Sequence, residues 1–584
     1  MTDYVEVIDR DGPARLGELR LTESITTPAI ADDLITDAGS KWGRERSEPA
    51  PHPDHFTILP HRSLPPGTPD AVADAFTDPP TAIDGPSGAA IAPHTAADAG
   101  VDLYALSTVQ GIVGHAAAFR EAIIETRRAI PDDTALYLSG IATPANVAML
   151  AYAGVDLVDT DRARIAGTQG RYLTTTGAED IADLRTLPCP CTACAVGIEA
   201  FDQTACVDHN IAALSAELAL VRERIRTGRL RELVTARCRH APWLTATLRE
   251  LDQESDYVRA HAPMYRRSEL LATTDDDLHR PVVRRYAERV SERYVNRFES
   301  PLVLLPCSAV KPYSESQSHR QFREAIGYRG HMVSLSSPIG IVPQELECTY
   351  PAQHYDIPVT GRWSATEREL IAGQLARYFE RTDYPDVIAH VPPGAYRDIV
   401  EHAAAKAGVE PTYTVDDHPT TDTSLTALSN ALDGESTYSQ AERREHTVRA
   451  IADYQFGTAA GDDLFETIDV ESPYPKHRVI DANDTHLATM VPAYGLLALT
   501  IAGGHRWVRS DVPHRTVQID DFVPHGDVLA PGILDADPTI RVGEEVIIDG
   551  PSAFAVGRAM MPGAAMVESS RGVAVDVRHT EDLS

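Results

Sequence analysis

The pattern that most limits the fold is an alternation, from residue 1 to about 270, of short apolar strand-like runs with amphipathic helical ones. The strand-like run 135–141, a helical run after Thr143-Pro144 and a second strand-like run at 153–160 set this rhythm. Alternating β and α elements predict a parallel α/β architecture, either barrel or open sheet. A helical stretch follows at about 210–250, and its first part, 210–228, carries apolar residues at i, i+3, i+4 spacing and stops at Gly228. At 584 residues the chain exceeds one core, since domains hold ~100–200 residues. After an Arg-rich connector (280–298), a second α/β segment opens with the apolar strand 301–306 and continues to about 425, where a polar linker around a short helix is expected. Residues 438–502 begin helical and end strand-like, and 503–580 is dense in turns and β-branched residues, which predicts a small β-barrel. The expected domains are thus 1–275, 285–430, 437–502 and 503–580.

Charge narrows the setting. Asp and Glu number 86 against 53 Lys and Arg, a net charge of −33, and only Lys41, Lys311, Lys406 and Lys476 are lysines. An acidic, lysine-poor surface stays hydrated where salt screens ordinary repulsion, so a halophile's cytoplasm is the expected location. The acidity argues against general nucleic-acid binding, because phosphate contacts are cationic, but leaves room for an RNA read by shape and local arginine clusters. No run reaches the ~18–20 apolar residues of a membrane span, and the first residues do not read as a signal peptide.

Cys189-Pro-Cys191-Thr-Ala-Cys194 precedes His209 by fifteen residues from the last cysteine. Thiolates two and three positions apart converge on one ion, and an imidazole from a helix start completes a closed Cys₃His zinc site of structural character. Cys206, three residues before His209, is an alternative ligand.

A second constellation is Pro306-Cys307-Ser-Ala-Val-Lys311-Pro-Tyr313-Ser-Glu-Ser316-Gln-Ser-His319, a strand end, a polar loop and a helix start. Ligands of open α/β sheets bind at strand carboxyl ends, facing helix N-termini. A cysteine there, beside a lysine, has its thiolate favoured. The plainer readings are a Cys307 that only packs, a solvated Lys311, and a Ser316 or Ser318 that merely caps the helix.

These residues carry a resemblance. The run 151–160, the stretch 170–175, the cysteine cluster, Asp208-His209-Asn210 and 225–234 are similar to archaeal tRNA-guanine transglycosylases. That resemblance implies a (β/α)₈ barrel with a Cys₃His zinc, and places Asp159 of Gly154-Val-Asp-Leu-Val-Asp159 where the nucleophile stands. The alternative for Asp159 is a brace at a strand end. The transglycosylase base-binding segment has no counterpart in 55–76. The Pro-Cys-x₃-Lys-Pro-Tyr-x₂-Ser-x₂-His run matches the signature of the archaeosine synthases (alpha subunit), a paralogous family, and 336–347 and 350–356 are also similar to it. Residues 451–465 and 487–500 resemble the domain preceding the PUA domain, and the end of the chain resembles the PUA barrel itself, with Arg558, Arg571 and Arg578 as phosphate contacts or solvated surface groups.

The resemblance therefore implies a multidomain α/β protein: a TIM-barrel-like transglycosylase-type domain with zinc, a second α/β domain, a small α+β domain and a PUA barrel. It implies an enzyme adding an amino donor, lysine in the family's scheme, to the nitrile of 7-cyano-7-deazaguanine (preQ0) at position 15 of tRNA. Its partners are that tRNA, the donor, a radical-SAM subunit that releases the amidine, and a second copy in a homodimer. Cys307 is then the nucleophile or a pocket wall, His319 a proton carrier and Lys311 a charge stabiliser, with Ser316 and Tyr313 completing the site. The rivals are a true transglycosylase and a non-catalytic tRNA-presenting scaffold.

Overall fold

The computed structural model describes residues 2–41, 50–62, 68–69, 71–72, 83–93, 96–253, 255–358, 362–471 and 475–584. The chain divides into two compact units. One comprises Met1–Ala262 with Val528–Thr539 and Met561–Ala574, the other Pro263–Asp527, Ile540–Met560 and Val575–Ser584. The C-terminal segment 503–580 is thus shared between the two units.

In the first unit, seven strands form one parallel sheet in the order Ala29–Ile30, Leu157–Val158, Ala135–Leu138, Leu103–Leu106, Ser87–Ile91, Phe56–Ile58, Ile35–Asp37. The two edge strands are consecutive in the chain. Held flat, six gaps of ~4.8 Å would set the edges ~29 Å apart. Five residue steps from Ile30 to Ile35 reach at most ~18 Å. The sheet therefore has to curl, which is the barrel-like form the resemblance implies; among the described residues it has seven strands, not eight. Leu103, Ala135, Leu157 and Phe56 are fully buried in its core. Three antiparallel strands, Val5–Asp11, Ala14–Arg20 and Ser24–Thr27, precede it.

The two aspartates of Gly154-Val-Asp-Leu-Val-Asp159 flank the strand Leu157–Val158 at opposite ends. Asp156 is buried between two cations. Its Oδ1 lies 3.0 Å from Arg15 Nε, and its Oδ2 accepts from Arg127 Nη2 at 3.1 Å and from the Leu136 N–H at 2.8 Å. This carboxylate anchors the strand's amino end. The following helix Asp161–Thr168 packs closely on the long helix Gln203–Arg226, because Gly167 has no Cβ; one added there would lie 2.6 Å from Val207 Cα. The long helix is N-capped by Asp202, so it starts before the 210 that its apolar spacing marks.

The second unit contains a five-stranded sheet in the order Gly340–Pro343, His331–Ser336, Leu302–Pro306, Val387–Ala389, Thr412–Tyr413. All but the antiparallel Gly340–Pro343 run parallel. Leu302–Pro306 is first in sequence and central in space, so the chain leaves it to one side and later crosses to the other. Its carboxyl end is a topological switch point. The segment expected to be a linker after residue 425 is part of this domain. Leu428 and Leu432, on and just beyond the helix Asp422–Asn430, are buried against Val303, Leu305 and Phe322.

Next comes the helix Gln440–Phe456, closed by a Ser439/Glu442 capping box, and a four-stranded antiparallel sheet from Ile468–Glu471 to Leu496–Leu499. The helix Ile501–Arg509 follows, so the expected boundary at 502/503 cuts through a helix. The strands Thr516–Ile519, Glu545–Gly550, Ala553–Ala559 and Val573–Asp582 then lie side by side, the first pair parallel and the rest antiparallel.

Candidate active site

The switch point holds the cysteine. Cys307 directly follows Leu302–Pro306, with its N–H bonded to the Leu335 carbonyl at 3.1 Å. Its Sγ lies 3.1 Å from the hydroxyl of Tyr396, in the first turn of the helix Ala395–Ala407 that follows the neighbouring strand Val387–Ala389. Burial, and then the sulfur beside it, push the Tyr396 hydroxyl above its usual pKa, so it keeps its proton, and either group can donate to the other. The Lys311 ammonium sits 4.0 Å above the ring of Tyr355. Burial draws its pKa down, against the pull of Cys307, Asp356 and Glu269. Tyr355 in turn shares its hydroxyl with Tyr313 and Ser336. A thiol, a phenol and an ammonium thus meet at one strand end.

The remaining motif residues take other parts. Ser316 is the N-cap of the helix Gln317–Ile326, accepting the His319 N–H at 3.2 Å, and Ser318 Oγ lies 3.3 Å from Ser316 Oγ. Ser316 thus caps the helix, as its plainer reading expects. His319 is 2% exposed, its Nε2 is 3.0 Å from the Pro306 carbonyl, and burial pulls its pKa down to about 4. It is a neutral imidazole that ties the helix to the strand end, which departs from the expectation of a proton carrier. Tyr313 is buried and stacks on His319 at 5.0 Å between centroids.

Tyr396 escapes the sequence reading, since it lies 89 residues from Cys307. The signal available for it is the strand, Gly394 and helix start of its own segment, the same arrangement that marks Cys307.

The metal cluster forms as its spacing predicts. Ligand atoms of Cys189, Cys191, Cys194 and His209 lie within 4.8 Å of one another. His209 Nδ1 is 3.5 Å from Cys191 Sγ and 3.4 Å from Cys194 Sγ. Its Nε2 is 2.9 Å from the Leu173 carbonyl, which fixes the tautomer and leaves the Nδ1 lone pair for a metal. This donor set fits a closed tetrahedral zinc. Cys206 stands outside it and donates to the Arg171 carbonyl at 3.4 Å.

At the curled sheet's mouth a cavity of about 600 Å³ is lined by Asp32, His61, Ser107, Tyr137 and Asp159 among others. Asp159 is 5% exposed and accepts from Tyr137 Oη at 2.8 Å, the Gly140 N–H at 2.9 Å and the Asp161 N–H at 3.2 Å. Burial raises its pKa against these donors. The region 55–76 lies partly outside the described residues. Of the three arginines singled out near the C-terminus, Arg558 bonds to Asp576 and to Tyr494 Oη, Arg571 to Asp3 at 3.2 Å and Arg578 to Glu545. Each has a carboxylate partner.

Family models match along the chain: queuine tRNA-ribosyltransferase over 90–242, a domain of unknown function (DUF5591) over 283–432, the patch-forming domain C2 of tRNA-guanine transglycosylase over 446–514 and a PUA domain over 518–580. An archaeosine synthase of Haloferax volcanii is 53% identical over 584 residues, covering 100% of both chains. The chain belongs to the archaeosine synthase family. The archaeosine synthase subunit alpha of Methanosarcina acetivorans is 42% identical, again over 100% of both chains. A tRNA-guanine(15) transglycosylase of Methanothermobacter thermautotrophicus is 28% identical over 78% of this chain and 68% of its own length. Within the archaeosine synthase chain, the Cys307 loop lies in the domain of unknown function, outside the transglycosylase-matched segment. No helix among the described residues is long and apolar enough to cross a membrane.

Proposed function

We propose that this protein is a tRNA-modifying archaeosine synthase that adds an amino donor to the nitrile of preQ0 in tRNA. The observation that carries the chemistry is the 3.1 Å approach of Cys307 Sγ and Tyr396 Oη at the switch point, beside Lys311. A nitrile carbon is an electrophile. The Cys307 sulfur adds to it, the electron pair of one C–N π bond moves to nitrogen, and the thiol proton reaches that nitrogen through Tyr396, giving a thioimidate. The donor's amine then adds to the same carbon, the C–S bond breaks, and the sulfur leaves with a proton from the amine as the thiol. The product is a substituted amidine, with lysine as the donor. Lys311 stabilises the thiolate and the charge developing on nitrogen. A radical-SAM partner subunit completes the path by releasing the amidine.

The Cys₃His cluster holds one structural zinc, and its ligand His209 ties the long helix to the strand Arg171–Thr174 through the Leu173 carbonyl. The PUA-matched segment supplies tRNA affinity. Intact-nucleoside mass spectrometry of preQ0-bearing tRNA, incubated with this chain and candidate amines, tests the reading. A mass gain equal to the donor is expected. Exchange of labelled guanine into the tRNA without that gain would restore the transglycosylase alternative, and neither reaction would leave a scaffold.

A further inference from the structure

A reaction on one base of a folded tRNA needs that base taken out of its stack and held, and proteins hold an extruded base against an aromatic face. Most rings near the Cys307 strand end are already covered. Tyr355 carries the Lys311 ammonium 4.0 Å from its ring centre, and the buried Tyr313 stacks on His319 at 5.0 Å between centroids. Tyr413, on the edge strand, faces the Arg397 guanidinium at 4.8 Å. Trp363 is different. It is half-buried, and its ring neighbour among the described residues is Tyr396, met at 56° with centroids 4.6 Å apart. The phenol therefore does not lie flat on the indole, as a stacked ring would.

The backbone sets this indole at the same end of the sheet as the sulfur. Trp363 directly precedes Ser364, the N-cap of the helix Ala365–Arg381, where Ser364 and Glu367 form a capping box. Glu367 also accepts from the hydroxyl of Ser337. Ser337 directly follows the strand His331–Ser336, which runs parallel to Leu302–Pro306 with Leu335 beside Pro306. Cys307 and Ser337 thus leave neighbouring strands at one end of the sheet, and the chain Ser337–Glu367–Ser364 fixes the start of the helix there. From the indole, the Tyr396 ring leads to its own hydroxyl, 3.1 Å from Cys307 Sγ. An indole held between a capped helix and a phenol is a fixed apolar surface beside the nucleophile.

We propose that Trp363 is the platform on which the extruded preQ0 base stacks, so that its nitrile reaches Cys307. The proposal rests on the amine-addition reading above, which supplies the base and the reacting group. Every base has a π-face, so Trp363 contributes affinity for a base, while recognition of the nitrile falls to Cys307.

The first experiment follows tryptophan fluorescence of the full-length wild-type protein without an amine donor. PreQ0-bearing tRNA is expected to quench it, and the same tRNA with an abasic site in place of that base is not. Trp363→Phe should abolish the difference between the two tRNAs. The second experiment measures kcat/KM for preQ0-bearing tRNA at fixed salt, on which tRNA affinity depends. Trp363→Ala is expected to lower it about 30-fold, the size of one stacked base, and Trp363→Phe to recover about tenfold of that loss. Repeating Trp363→Ala in a Tyr396→Phe protein separates stacking from mere support of the phenol, and a further loss of about 30-fold is expected there. No further loss in that background overturns the proposal and makes Trp363 a positioning residue for Tyr396. Quenching that is absent, or equal with both tRNAs, also overturns it. Base-dependent quenching with no adduct on adding amines would leave the stacking platform standing and sink the amine-addition reading.

Discussion

Two strand ends in this protein carry a potential nucleophile, and their surroundings differ. At the mouth of the curled sheet, Asp159 has its oxygens taken by a phenol and two backbone N–H groups. At the switch point of the second sheet, Cys307 has the Tyr396 hydroxyl as a hydrogen-bond partner and an ammonium close by. A carboxylate that accepts from three protein donors is a brace for the loop Ser139–Gly140 and the start of the next helix. A half-buried sulfur beside a proton donor is poised for covalent work. On the function proposed above, the chemistry belongs to the second sheet's strand end, and the curled sheet holds a carboxylate braced by its own donors.

The sharpest way to break this contrast is to remove each nucleophile. Cys307→Ala is expected to lower adduct formation on preQ0-bearing tRNA by at least ~10³-fold, with tRNA affinity unchanged, as single-turnover mass spectrometry and a binding isotherm will show. Asp159→Asn, at the other end of the scale, is expected to change the rate less than about threefold. The reverse ranking would return the chemistry to the barrel.

Metal removal separates scaffold from chemistry next. Cys191→Ala should lose about one zinc per chain by elemental analysis and cost on the order of 4 kcal/mol of stability, without changing which donor is used. Full metal content in that variant would refute the ligand set.

Tyr396→Phe probes the proton path. A loss of about 100-fold in rate is expected, with the thiol still titratable by alkylation. A wild-type rate would make Tyr396 a packing residue.

His319 sets the smallest of the larger effects, and its sign follows from its depressed pKa. The folded state holds it near 4 by burial, whereas an unfolded histidine titrates at ~6.5. The unfolded chain therefore binds the proton first. The stability due to neutral His319 is complete above pH ~6.5 and is lost as pH falls towards 4, by about 3 kcal/mol. His319→Gln should flatten the pH dependence of the melting temperature across that window. An unaltered slope would mean that other groups carry it.

Local spacing made part of this structure legible. The Cys₃His cluster could be read because its ligands lie within 21 residues, and short loops and one helix turn leave little choice in how they meet. The strand, loop and helix of the Cys307 motif could be read for the same reason, since an apolar run, a polar loop and a capped helix are each local signals. Even there the roles were not legible. Whether Ser316 faces a substrate or caps a helix, and whether His319 carries a proton or is buried against the Pro306 carbonyl, depends on which way the helix is rotated.

The polar run after residue 425 looked like a linker because its few leucines, Leu425 and Leu428 on the helix and Leu432 just beyond it, pack with Val303, Leu305 and Phe322, more than a hundred residues earlier. Tyr396 belongs to the same class. By itself the sequence determined the alternation of elements, the metal ligands and the strand end at which Cys307 stands. Only the tertiary structure decided that Tyr396 meets that sulfur, because parallel strands bring together loops that are distant in the chain, and nothing in local spacing records the order of strands in a sheet.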